Sequence, residues 1–249
     1  MDLHRSRRVL PSRSSLAALA VLALAVSLLG AAVPRAHAQD GSPPVLEAAG
    51  SAFKSSFNVH HNGWKPVSGT WTLLNGYYQS AGQKSRFSSI VHSGTYTHLD
   101  FSVRMKRKGC SDCVNAIVVR GTPSPLNSYK DWYSGYWFQY ETNGNVSVYK
   151  VVASAGSVLI PVFVSPDVHT GPNWNVLRVV MNSGAYSFSM NGVVVADGSD
   201  PDLTTGRVGI AFFRDVGTGD KLLVDWAKMV LPSADLDPFA EVFADIAAR

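Results

Sequence analysis

The residues best suited to hold a ligand lie in one stretch, Tyr136-Trp137-Phe138-Gln139-Tyr140-Glu141. Read as a β-strand, it sends Tyr136, Phe138 and Tyr140 to one side and Trp137, Gln139 and Glu141 to the other. The second side joins a flat indole, an amide and a carboxylate. A pyranose needs that mixture: a π-face for its C–H side and planar polar groups for neighbouring hydroxyls. Arg104 and Arg120 add donors if their strands end on the same side. The alternative is a Trp137 that fills the core while the polar groups face water. Thr122 to Ser134 carries Tyr129, Trp132 and Tyr133 on what reads as a surface loop. Three exposed rings are costly, so they either fold down or form a contact platform, with Trp132 and Tyr133 the candidates for the latter.

Other chemistries find less support. His60 and His61 are adjacent while His92, His98 and His169 are scattered, and no H-E-x-x-H spacing occurs. Between Ser51 and Leu231 Glu141 is the one Glu. Asp131, Asp215 and Asp220 sit in apparent loops with nothing to mark them as the paired carboxyl groups of a glycosidase. No G-x-S-x-G elbow is present for a serine nucleophile. Cys110 and Cys113 form a C-x-x-C pair flanked by strand-like sequence. It reads as a small loop disulfide, the alternative being a redox centre, which normally needs a helix N-terminus to lower the thiol pKa.

The elements that must position these residues are almost all strands. Leu99, Phe101, Val103 and Met105 alternate with Asp100, Ser102, Arg104 and Lys106, one face buried and one wet. Asn75-Gly76, Asn143-Gly144-Asn145, Asn182-Ser183-Gly184 and Asn191-Gly192 punctuate further strand-like runs as hairpin turns. About a dozen strands without crossover helices predict an all-β, two-sheet antiparallel sandwich over residues 51–232. Residues 1–38 read as a signal peptide: basic Arg5, Arg7, Arg8 and Arg13, an apolar run from Leu16 to Val33, then Ala36-His37-Ala38. Residues 39–50 read as a flexible leader. Residues 233–249, with Asp237-Pro238 and then Phe239, Val242, Phe243 and Ile246, read as a short amphipathic helix. Without residues 1–38, which hold five Arg and Asp2, the 22 basic and 18 acidic side chains become 17 and 17. A neutral mature chain without a membrane span has no electrostatic reason to bind nucleic acid. Nothing in the sequence speaks to oligomeric state.

Several motifs in order resemble a known family. Asn62-Gly63-Trp64-Lys65-Pro66-Val67-Ser68-Gly69-Thr70-Trp71, Asn75-Gly76-Tyr77-Tyr78, Trp174-Asn175-Val176-Leu177-Arg178-Val179, Met190-Asn191-Gly192 and Val224-Asp225-Trp226 resemble segments of laminin G-like, concanavalin A-like jelly-roll domains of secreted bacterial proteins. The resemblance, over Phe53 to Leu231, implies a jelly roll that binds extracellular carbohydrate or protein. It places Trp64, Trp71 and Trp174 in the core. It also admits glycoside hydrolases, although their E-x-D-x-E strand is absent here, and structural or adhesive surface proteins. Some jelly rolls hold calcium, so Asp225 with backbone carbonyls is a candidate site for a structural Ca2+; no other cofactor is expected. The expectation is a non-catalytic glycan-binding module, with a sugar-processing enzyme or a structural or adhesive cell-surface protein as the alternatives.

Overall fold

The computed structural model describes residues 52–215 and 219–231. The expected signal peptide, the leader and the tail helix lie outside the described residues. Fifteen strands form the described part. They are β1 (Phe53–Ser55), β2 (Trp64–Ser68), β3 (Thr72–Leu74), β4 (Tyr77–Ser80), β5 (Arg86–Tyr96), β6 (Leu99–Lys108), β7 (Asn115–Thr122) and β8 (Ser134–Tyr140). After them come β9 (Asn145–Val152), β10 (Ala155–Val164), β11 (Trp174–Asn182), β12 (Ala185–Met190), β13 (Val193–Ser199), β14 (Gly206–Arg214) and β15 (Lys221–Val230). No helix occurs among the described residues.

The strands make two wholly antiparallel sheets. One runs β13-β12-β11-β6-β15-β4-β3, with β1 also paired to β15; the other runs β10-β9-β8-β7-β14-β5-β2. This is the two-sheet antiparallel sandwich that the strand pattern predicted, and the jelly roll that the family resemblance implied. Asn75 and Gly76 both take positive φ, at 54° and 77°, between Leu74 and Tyr77. Asn191 and Gly192, at 52° and 92°, turn Met190 into Val193. Both turns need left-handed backbone, which Asn and Gly tolerate best. Four strands were not legible beforehand. β1 is very short, β2 contains Pro66, β5 is rich in Ser, and β10 is an edge strand broken by two bulges.

Phe101, Val103 and Met105 of β6 face Ile117, Tyr136, Phe138 and Ile210 of the opposite sheet in the main core. The polar members of β6 lie on the outer side, in strict alternation. Arg107 breaks that rule. It is buried, bonded to Asp220 at 3.1 Å, to Asn115 at 3.2 Å and to the Phe213 carbonyl at 2.9 Å. Asp220 in turn accepts the Cys110 N–H at 2.6 Å, anchoring the loop closed by the Cys110–Cys113 disulfide.

Candidate functional site

Trp137 and Gln139 do lie together on the outer face of the seven-stranded sheet, on the side opposite Tyr136 and Phe138. That face is not open. The loop after β7 folds back across it and seats Trp132 on two glycines: a Cβ on Gly209 would stand 2.3 Å from the indole, and one on Gly121 2.5 Å. The Trp132 N–H donates to Ser89 Oγ at 3.0 Å. Backbone bonds from Phe87 N–H to the Tyr129 carbonyl and from Ser154 N–H to the Tyr133 carbonyl pin the loop at both ends. Trp132 is 0% exposed and Trp137 2%, with Phe87 packed edge-on to Trp137 at 5.1 Å. The result is a second apolar cluster, separate from the main core. Neither indole offers a face to solvent, and Tyr133 is half-buried beside them.

The remaining residues of the predicted constellation are elsewhere. Glu141 stands just beyond β8, where its carboxylate accepts the Asn143 and Asn145 side-chain amides at 3.0 and 2.7 Å and braces the hairpin turn. Gln139 accepts Ser147 Oγ at 3.2 Å. Arg120 is buried and donates to the Thr97 carbonyl at 2.6 Å and the Leu203 carbonyl at 2.9 Å, so it ties loops rather than facing a ligand. Arg104 belongs to the other sheet. A single surface joining Trp137, Glu141, Arg104 and Arg120 therefore does not exist; strand alternation placed Trp137 correctly but could not say which sheet each arginine joins.

The outer face of the eight-stranded sheet is where half-exposed aromatic and charged groups meet. Cross-strand register aligns Trp174, Lys106, Leu223, Gln79 and Thr72 in one row over five strands. The Lys106 ammonium sits 4.5 Å from the Trp174 ring centre and the Arg104 guanidinium 4.6 Å, both within cation–π range. Tyr77 leans on the same ring at 5.4 Å and a tilt of 39°. A bulge in β15 between Val224 and Trp226 gives two successive half-buried residues, Asp225 and Trp226, between inward Val224 and Ala227. Asp225 uses this position to pair with Arg104. Further along, Arg178 grips Asp100 with both arms, at 2.8 and 2.9 Å. A shallow depression of about 630 Å³ bounded by Thr72, Leu74, Gln79, Gln83 and Lys221 continues the row at the β3–β4 edge.

Trp174 thus differs from the expectation of a core residue, while Trp64 and Trp71 are buried as expected. Alternation along β11 puts Trp174 on the side of exposed Arg178, opposite the core residues Leu177 and Val179, and the register against β6 sets it opposite Lys106. Tyr77 and Trp226 were not singled out from sequence; the hairpin at Asn75-Gly76 was the one signal that could have placed Tyr77. As for metals, the carboxylate of Asp225 is engaged by Arg104, and β1 pairs with β15 beyond it, at Ala227–Met229. Cys110, Asp112 and Cys113 are close enough to hold an ion, but the disulfide occupies both sulfurs and leaves one carboxylate. The described histidines do not meet one another in a group that could hold an ion. His61 contacts the Trp64 carbonyl, His92 bonds Tyr96, and His169 contacts the Trp174 carbonyl.

Residues 52–217 match the profile of the 3-keto-alpha-glucoside-1,2-lyase-like domain. No curated protein matches the chain in sequence. Among solved structures, it is similar to the carbohydrate-binding module CBM66 from Bacillus subtilis, with 18% identity, a TM-score of 0.53, and coverage of 66% of this chain and 92% of that one. A Bacillus licheniformis beta-glucanase has 10% identity and a TM-score of 0.55 over 74% of this chain and 99% of its own. The metal-free carbohydrate recognition domain of Emp46p has 11% identity and a TM-score of 0.55 over 70% and 94%. At these identities the likeness is one of fold: a concanavalin A-like jelly roll of the kind found in glucanases and carbohydrate-binding modules.

Proposed function

The chain belongs to the family of 3-keto-alpha-glucoside-1,2-lyase-like domains, and from that premise we propose that its sandwich is an exported, non-catalytic glycan-binding module whose contact surface is the outer face of the eight-stranded sheet. The observation that carries this reading is the half-exposed Trp174, held beside Tyr77 with the Arg104–Asp225 pair alongside. An indole held by its neighbours offers a sugar's C–H face a surface that loses little freedom on binding. The ion pair presents donors and an acceptor in fixed directions to ring hydroxyls. The carboxylates of this face argue against hydrolysis. Asp100 and Asp225 are each bound by an arginine, and Asp100 and Arg104 are four residues apart on β6, which sets Asp225 roughly 13 Å or more from Asp100 along the sheet. The exposed Asp197 lies three strands from Asp100 in the same row, farther still from Asp225. A glycosidase needs its two carboxyl groups about 5–9.5 Å apart.

Replacing Trp174 by Ala is expected to abolish retention on the bound glycan in an array or affinity-gel assay without lowering the melting temperature by more than a few degrees. Unchanged retention in that variant would remove the surface from consideration. The buried Trp137 serves as the contrast: its replacement by Ala is expected to act through stability.

The family description favours one second reading. In a 3-keto-glucoside the carbonyl acidifies the C2 hydrogen, so a base that takes this proton allows the C1–O bond to break by elimination. Asp225 is the described carboxylate beside the exposed aromatics, and Arg104 could face the ketone oxygen. Incubating the protein and its Asp225→Asn variant with a 3-keto-α-glucoside separates the readings: turnover by the former and none by the latter would replace the binding module with a lyase.

A further inference from the structure

Charge is distributed unevenly over this molecule. The described residues carry sixteen Lys and Arg against eleven Asp and Glu, a formal +5, because six acidic residues (Asp40, Glu47, Asp235, Asp237, Glu241 and Asp245) lie in the flanking segments. Much of the excess sits on the outer face of the eight-stranded sheet. Lys54, Lys106, Lys108, Lys221 and Lys228 occupy outward positions of β1, β6 and β15. No ion pair joins any of the five to a carboxylate among the described residues. Arg104 and Arg178 are there too, but Asp225 and Asp100 neutralise them.

The register makes this more than a surplus. Lys108 is the direct cross-strand partner of Lys221, and Lys54 of Lys228. Like charges placed directly opposite destabilise a sheet, and here it happens twice on one face. The two pairs bracket the aromatic group. Lys221 and Lys228 are seven residues apart on β15, roughly 23 Å of strand, with Asp225, Arg104, Lys106 and Trp174 between them. An anion bridging each pair would relieve the repulsion, and a chain of regularly spaced anions would relieve both while laying a ring on Trp174.

We propose that the ligand of this face is a polysaccharide carrying carboxylate groups, a polyuronate, lying along β15 from the Lys108–Lys221 pair past Trp174 to the Lys54–Lys228 pair. The inference rests on the glycan-binding reading above and names its substrate class. A carboxylate offers one oxygen to each ammonium of a cross-strand pair. It stands at the edge of the sugar ring, so the C–H face stays free for the indole. Nucleic acid also carries regular charge, but one half-exposed indole between two lysine pairs spaces its stacking and its charge contacts as a ring-and-carboxylate polymer does, whereas single-strand binders stack successive bases on several rings.

The test is binding of the full chain to polygalacturonate, its methyl ester, a neutral β-glucan, dextran sulfate and single-stranded DNA, by affinity electrophoresis or calorimetry. Polygalacturonate is expected to bind best, and its affinity to fall as salt rises. The Lys108→Gln/Lys221→Gln variant is expected to bind it about tenfold more weakly, two exposed charge contacts having been lost. Its melting temperature should equal or exceed that of the parent at low salt, which separates lost recognition from lost folding. Methyl ester or neutral glucan bound as tightly as polygalacturonate, with no change in the variant, would overturn the acidic ligand and leave the glycan-binding reading standing. Absence of binding to every polysaccharide would overturn both. Dextran sulfate or DNA bound as tightly as polygalacturonate would reduce the face to a general polyanion surface and overturn the assignment.

Discussion

The two buried indoles over the seven-stranded sheet differ by one hydrogen bond. Trp132 donates to Ser89 Oγ, whereas the Trp137 N–H is buried without a partner. An unmet buried donor costs about 1–3 kcal/mol, so exchanging Trp137 for Phe removes a penalty along with some packing area. Trp137→Phe is therefore expected to be tolerated within about 1 kcal/mol. Trp132→Phe loses a made bond, leaves Ser89 Oγ with Ser68 Oγ as its remaining partner, and opens space above Gly121 and Gly209; it should cost about 2 kcal/mol more than its counterpart. Urea denaturation of the two variants side by side measures the difference. The comparison also shows why Trp137 looks like a ligand contact in sequence: nothing local reveals that the loop between β7 and β8 brings Trp132 down beside it.

Between elements, His92 is the most informative junction. It lies on β5 of one sheet, yet its ring stacks on Phe53 of β1 in the other at 3.9 Å and packs edge-on against Trp64 of β2. Its Nδ1 accepts the Tyr96 hydroxyl at 3.1 Å and the Gly94 N–H at 3.3 Å, which places the proton on Nε2. Burial lowers its pKa to about 4 from the usual 6.5. Since the folded form resists protonation, the unfolded chain takes up the extra proton between those values. Stability from this group is thus complete above pH 6.5, declines as pH falls toward 4, and changes no further below that. Thermal melts from pH 7 to pH 4 are expected to show the decline, and His92→Phe, which keeps the stack on Phe53, should flatten it at the cost of the Tyr96 bond. An equal slope in the variant would assign the acid sensitivity to other groups.

Over the whole molecule, composition and geometry diverge. The chain without residues 1–38 is formally neutral, and on that basis an anionic partner looked unsupported. The flanks, however, hold six acidic residues against one basic, and the sandwich itself is cationic, so the average hides a charged face. The proposed export accords with an extracellular glycan as partner, and the described residues hold no helix long and apolar enough to cross a membrane. If residues 1–38 are removed on export, N-terminal sequencing or intact mass of the secreted protein should place Gln39 first. A chain that keeps Met1 would overturn the signal peptide and return five arginines to the charge count.

Sequence alone was sufficient for what depends on neighbours a few residues apart. Alternation along Leu99–Lys108 sorted its side chains into two faces, and the Asn-Gly pairs located two turns, because pleat and turn sterics are local. The Cys110–Cys113 disulfide was likewise expected, from the strand-like flanks that offer no helix N-terminus to a redox pair. Tertiary structure decided everything that depends on which strands become neighbours. It assigned Arg104 and Arg120 to different sheets, covered Trp137 with Trp132, set Trp174 against Lys106, and set Lys108 against Lys221. Cross-strand partners such as Arg104 and Trp226 are more than a hundred residues apart in the chain, and their register follows from packing the core as a whole rather than from any local preference.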